Sequence, residues 1–200
     1  GVGVSLPSLR MDSFSIDLAE MINGVRKTGL TFAPEAASDR LRAVIDKWIP
    51  DEELFETTSQ VFARGWEQVK LYFMIGLPTE TMADVERIAT LSEEVLKRGR
   101  KANKRARVHV SVSTFVPKPH TPFQWERQVT HAEVMERHNL LKNRLYPIKA
   151  IKLSLHDSPT SWLEGILSRG DRRLGAAVIE AWKRGAKFDG WGEHFNEQAW

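Results

Sequence analysis

Four segments of this chain run from an apolar or alternating stretch directly into a proline-bearing turn: Leu6-Pro7-Ser8, Ala33-Pro34-Glu35, Gly76-Leu77-Pro78 and Val116-Pro117-Lys118-Pro119-His120. Proline has no N–H to give to a strand ladder, so it belongs where strands finish. Amphipathic stretches separate these strand ends, as in Glu80 to Arg98, where Val85, Ile88, Leu91, Val95 and Leu96 fall roughly on one helical face. Strands alternating with helices of this length specify βαβ units, a parallel sheet and right-handed crossovers. In such a fold ligands collect at the carboxyl ends of the strands. Four rims with Ser, Glu, Thr/Glu and Lys/His beside the prolines resemble the mouth of a barrel.

The remaining elements read in the same way. The opening GVGVSLPSLR has the alternation of a strand with no lead-in, which predicts that more protein lies upstream of Gly1. Asp17 to Lys27 has helical spacing, Thr28 to Pro34 reads as a strand that Pro34 stops, and Ser38 caps a helix running to Lys47. A helix restarts at Pro50-Asp51 and ends at Gly65, followed by strand Gln68 to Ile75. Thr79 is expected to cap the helix that begins at Glu80. Strand Arg107 to Pro117, helix His131 to Leu145, strand Ile148 to Leu155 and helices over Pro159 to Leu167 and Asp171 to Arg184 complete the pattern.

Two hundred residues, 42% hydrophobic and 28% charged, describe a soluble globular chain with a sizeable core. No apolar run is long enough to cross a bilayer and no signal peptide opens the chain, so no membrane partner and a cytoplasmic location are expected. A net charge of +3 does not by itself call for an acidic partner. Locally, Lys97 to Arg107 holds seven basic residues and no acidic one. Such a run could touch phosphates, but a solvated loop is the plainer expectation. The absence of cysteine excludes disulfides, thiolate chemistry and Cys-ligated metal within these residues.

TFAPEAASDRLRAVIDK, then VKLYFMIGLPTET, then VSVSTFVPKPHTPFQW, in this order and spacing, resemble the radical S-adenosylmethionine (SAM) family of iron–sulfur oxidoreductases. Within it they are most similar to the subgroup with a cobalamin-binding domain ahead of the barrel. The resemblance implies an α/β fold: strands three to six of a partial, TIM-like (β/α)6 barrel over residues 1–125, and a C-terminal α/β extension over 126–200 packed on it. It also implies that the cysteine loop holding the [4Fe–4S] cluster lies upstream. The full-length enzyme would cleave SAM reductively to a 5′-deoxyadenosyl radical acting on an unknown substrate, with flavodoxin or ferredoxin as electron donor and cobalamin held by an upstream domain. This piece alone would be inactive.

Carried onto these residues, the resemblance places Glu35 near the methionine or ribose of SAM, with Ser38 in the same turn. A carboxylate there could accept hydrogen bonds from ribose hydroxyls or an ammonium group, or simply favour the helix start. Lys47, with Arg40 as the fallback, would meet the SAM carboxylate, although either could be a solvated helix charge. Ile75, Gly76 and Leu77 would lie against adenine, where a glycine lets the main chain approach a flat ring; Glu80 is expected to be structural. Val116 and Pro117, with Ser113 and Thr114, would border adenine and substrate. No metal ligand is assigned.

Other readings remain. A self-contained α/β-barrel aldolase or hydrolase would need an acid, base and electrophile at the rim, and Glu35, Lys118 and His120 are the evident candidates. An RNA-binding module could use the basic run and exposed tryptophans, though no recognised nucleic-acid motif supports it. His156, Asp157, Arg169, Asp171 and Arg172 are expected to pair so that they fasten two helices, and His194 with Glu193 falls short of a metal set.

Overall fold

The computed structural model describes residues 30–200; the expected strand at the start of the chain and the helix Asp17 to Lys27 lie outside them. Four strands, β1 (Leu30–Glu35), β2 (Gln68–Ile75), β3 (Arg107–Thr114) and β4 (Ile151–Leu155), form one sheet in the order β1-β2-β3-β4. Every neighbouring pair is parallel. Helices α1 (Asp39–Val44) and α2 (Asp51–Ala63) connect β1 to β2, α3 (Met82–Ala102) connects β2 to β3, and α4 (His131–Leu145) connects β3 to β4. Two further helices, α5 (Ser158–Arg169) and α6 (Leu174–Lys183), and two short 3-10 turns follow.

Side-chain alternation along the strands divides the sheet into two unlike faces. Val69, Val108 and Ile151 stand in register, as do Leu71, Val110 and Leu153. These columns pack with Phe62, Ile88, Leu91, Val95 and Leu141 of α2, α3 and α4 in one continuous core. The other face carries polar registers: Lys70, His109 and Lys152 in one row, Tyr72, Ser111 and Ser154 in the next. Burial thus pulls α2, α3 and α4 onto one side. Gly99 of α3 lets α2 approach closely, since a Cβ there would stand 2.5 Å from the Phe62 ring.

Several boundaries differ from expectation. Pro34 does not stop β1; the strand continues to Glu35, and its register with β2 slips by one residue between Phe32 and Glu35. The proline sits inside this bulge, where a missing N–H leaves no ladder bond unmade. The helix expected from Ser38 to Lys47 ends at Val44, because Asp46 turns left-handed (φ 52). Within the helix, the wholly buried Arg42 binds the carbonyls of Ala36 (2.9 Å) and Ile49 (2.6 Å) and the Asp51 carboxylate (2.7 Å). Thr79 is not the cap of α3. Thr81 caps it instead, in a reciprocal box with Asp84, and the helix runs past Arg98 to Ala102. Much of the basic run is therefore helical, not loop. β4 begins at Ile151, three residues after the expected start.

Candidate functional site

At the carboxyl ends of β2 and β3 lies a cavity of about 430 Å³. Tyr72 and Met74 line it from the face of β2 turned away from α2, α3 and α4, Ser113 from the matching face of β3, and Leu77, Phe115 and Val116 from the turns beyond. Phe123 stands edge-on to Phe115, with ring centres 5.9 Å apart, and closes one wall. Lys118, paired with Glu164, and His156 mark its polar side. Ile45, two residues before Lys47, contributes the wall next to β1. The walls are mostly apolar with few polar groups, the usual constitution of a small-molecule site.

Beside the cavity, the β1 bulge holds Glu35 in the left-handed region (φ 65). Backbone strain of this kind persists only where the surroundings over-determine it. Its carboxylate accepts from Lys47 Nζ at 3.2 Å, and both side chains remain partly exposed. Two of the residues chosen from sequence are thus brought together, as an ion pair.

The others have different surroundings. Ser38 accepts from the Leu41 N–H as the α1 cap and donates to Asp84 Oδ1 at 2.6 Å. Arg40 donates to the Thr79 hydroxyl and carbonyl, each at 2.9 Å, and pairs with Asp84. Both therefore fasten α1 to the first turn of α3, and Arg40 also to the turn that precedes it. Burial pushes the Asp84 carboxyl upward, but hydrogen bonds from Ser38, Thr81 and Arg40 outweigh it and hold the group at about 2. Ile75 is fully buried and its side chain belongs to the helix-facing core, so it does not line the cavity. Gly76 (φ 78) faces Val129, whose Cγ2 would lie 2.5 Å from an added Cβ; packing, rather than open space above a ring, occupies that position. Pro117 is buried and its carbonyl accepts from Ser168 of α5 at 3.4 Å, whereas its neighbour Val116 reaches the cavity.

Glu80 is structural in its contacts. Its Oε1 accepts from the Gly76 N–H (2.8 Å) and from Arg137 Nε (2.6 Å). Burial raises its pKa against the opposing pull of Arg137 and the Gly76 N–H. Sequence reasoning missed Arg137, which lies 57 positions away with no local signal. It also missed Tyr72 and Met74, which strict alternation with the buried Leu71, Phe73 and Ile75 would have placed on the open face.

The acid–base candidates do not converge. Glu35 pairs with Lys47 and Lys118 with Glu164, while His120 is exposed. The expected fastening of two helices by His156, Asp157, Arg169, Asp171 and Arg172 is replaced by local contacts. Asp157 caps α5, and Asp171 pairs with Arg173 just two residues on. His194 packs near the Phe188 and Trp191 rings. Among the described residues no three His, Cys, Asp or Glu side chains are grouped to hold a metal ion, and no helix is long and apolar enough to cross a membrane.

A scan against protein-family models finds none that matches this chain. The chain is similar to Uncharacterized protein MJ0966 of Methanocaldococcus jannaschii, with 35% identity over 176 residues, covering 87% of this chain and 36% of that protein. This chain thus spans little more than a third of the relative's length.

Proposed function

We propose that this chain forms one arc of a radical SAM (β/α) barrel and supplies the adenine, ribose and amino-acid side of the SAM site. The observation that carries the reading is the cavity bounded by Leu77, Val116 and Ile45 at the carboxyl rim, with the Glu35–Lys47 pair next to it. An apolar slot suits adenine. The adjacent pair suits the zwitterionic end of SAM: Glu35 exchanges Lys47 for the ligand's ammonium group, and Lys47 takes its carboxylate. Both side chains are part-exposed, so the exchange strands no buried charge.

The sheet agrees with an arc in two respects. A doubly wound sheet reverses its strand order and carries helices on both faces, whereas among the described residues the order is monotonic and the larger packed core lies on one side. The open face carries Lys70, His109, Ser111 and Ser154 beside Tyr72 and Met74, a mixed lining that suits a lumen better than a continuous apolar layer.

A [4Fe–4S] cluster does not fit this chain, which has no cysteine. In this reading the cluster and cobalamin ligands would come from other parts of a longer protein, and the chemistry the cluster would supply is reduction of bound SAM. What these residues do is bind the nucleoside, orient it and keep water from it.

Expression of the complete open reading frame without oxygen, with iron and sulfide restored, should yield 5′-deoxyadenosine from SAM. An intact cluster with no such product, together with unmeasurable S-adenosylhomocysteine binding, would overturn the proposal.

A further inference from the structure

At the opposite end of the sheet, where β2, β3 and β4 begin, a cleft of about 520 Å³ is lined by Arg100, Lys104, Arg105, Arg107 and Lys149, with Glu67 as its one carboxylate. Four of the cations belong to the basic run noted in the sequence, at the end of α3, the turn after it and the first residue of β3, and Lys149 joins them from the turn before β4. All five are exposed. Glu67 is engaged by Arg105 at 3.2 Å, and among the described residues Arg100, Lys104, Arg107 and Lys149 have no acidic partner.

Helix chemistry explains only part of this. Arg100 and Lys101 occupy the last turn of α3, where cations complement the helix dipole. Lys104, Arg107 and Lys149 lie off the helix and gain nothing from it. Gathering like charges into a concavity is unfavourable unless an anion neutralises them. No aromatic side chain lines the cleft, so stacking on bases is not available there. Contact with phosphates remains, and a repeated phosphate engages cations spread along a cleft better than a single small anion does.

We propose that this cleft binds the phosphodiester backbone of a nucleic acid strand, through charge and without reading sequence. β3 separates it from the rim cavity by about 23 Å at ~3.3 Å per residue, so both sites can be filled together. Occupation of the cleft requires neither SAM nor a cluster, and its test is independent of the SAM reading.

The test is fluorescence anisotropy with a labelled 15-nucleotide RNA of mixed sequence, titrated with protein between 50 and 200 mM KCl. Binding should weaken with salt, at a slope in log K of about −0.7 for each phosphate neutralised on a single strand. The triple variant Arg100→Gln, Lys104→Gln, Lys149→Gln should lower affinity about tenfold or more at 50 mM salt and reduce the slope by about 2. Because all three side chains are exposed, its circular dichroism and melting temperature should match the parent. RNA binding absent at 50 mM KCl, or unchanged by the triple variant, would overturn the proposal. So would equal, cleft-dependent binding of poly-glutamate, which would assign the cleft to an acidic protein surface instead.

Discussion

Arg137 of α4 and Glu80 of the turn after β2 form a nearly dry ion pair, 2.6 Å from Nε to Oε1, with side chains only 10% and 2% exposed. The same Glu80 oxygen holds the Gly76 N–H, so one carboxylate ties a helix to the rim of the strand before it. Removing one partner of such a pair strands a buried charge and costs about 3–5 kcal/mol. Arg137→Met should therefore destabilise the fold by about 3 kcal/mol in urea titration, and Glu80→Gln on that background should recover part of the loss. A deficit below about 1 kcal/mol would show the clasp to be expendable.

Gly76 and Val129 predict a coupled pair. Gly76→Ala would place a methyl within 2.5 Å of Val129 Cγ2 at a φ of 78. Overpacking and left-handed strain each cost about 1–3 kcal/mol. Val129→Ala on that background should relieve the clash but not the strain, giving a favourable coupling in a double-mutant cycle. Strict additivity would mean that the two side chains do not compete for one space.

His138 is buried and its Nε2 has no hydrogen-bond partner. Burial first and then Lys142 lower its pKa from 6.5 to about 4, with Asp157 opposing and His131 and His156 adding to the fall. The folded imidazole stays neutral while the unfolded one protonates below about 6.5. Its contribution to stability is therefore complete above pH 6.5 and is lost as pH falls through 4. Urea midpoints measured across that window should decline less in His138→Leu than in the parent. Equal slopes would remove the histidine from the account.

Lys47→Met separates the parts of the proposed SAM site. S-adenosylhomocysteine carries the amino-acid end and methylthioadenosine does not, so calorimetric affinity for the first should drop about tenfold, a hydrogen-bonded charge being worth ~1.5 kcal/mol or more, while that for the second holds. An equal effect on both would detach Lys47 from the ligand carboxylate.

Much of the fold was legible because strand and helix periods are local. The strand read over Gln68–Ile75 and the apolar stripe of Val85, Ile88, Leu91 and Val95 both put side chains in the core, although the alternation that turns Tyr72 and Met74 to the other face went unread. Helix starts were less legible. Thr79 and Thr81 are equally good caps by type, and the choice fell to Thr81 because Asp84 stands three residues on and is already held by Ser38 and Arg40. At the rim, sequence singled out Leu77, Val116, Glu35 and Lys47, but Ile75 and Gly76 adjoin Leu77 and face elsewhere.

The chain alone determined where its strands and helices lie and which side of each is apolar, because those preferences are set within a few residues. Tertiary structure decided which distant groups meet: Arg137 with Glu80, Gly76 with Val129, and Lys149 with the basic run around one cleft. Such meetings depend on how packed elements are placed in space, and no spacing along the sequence encodes them.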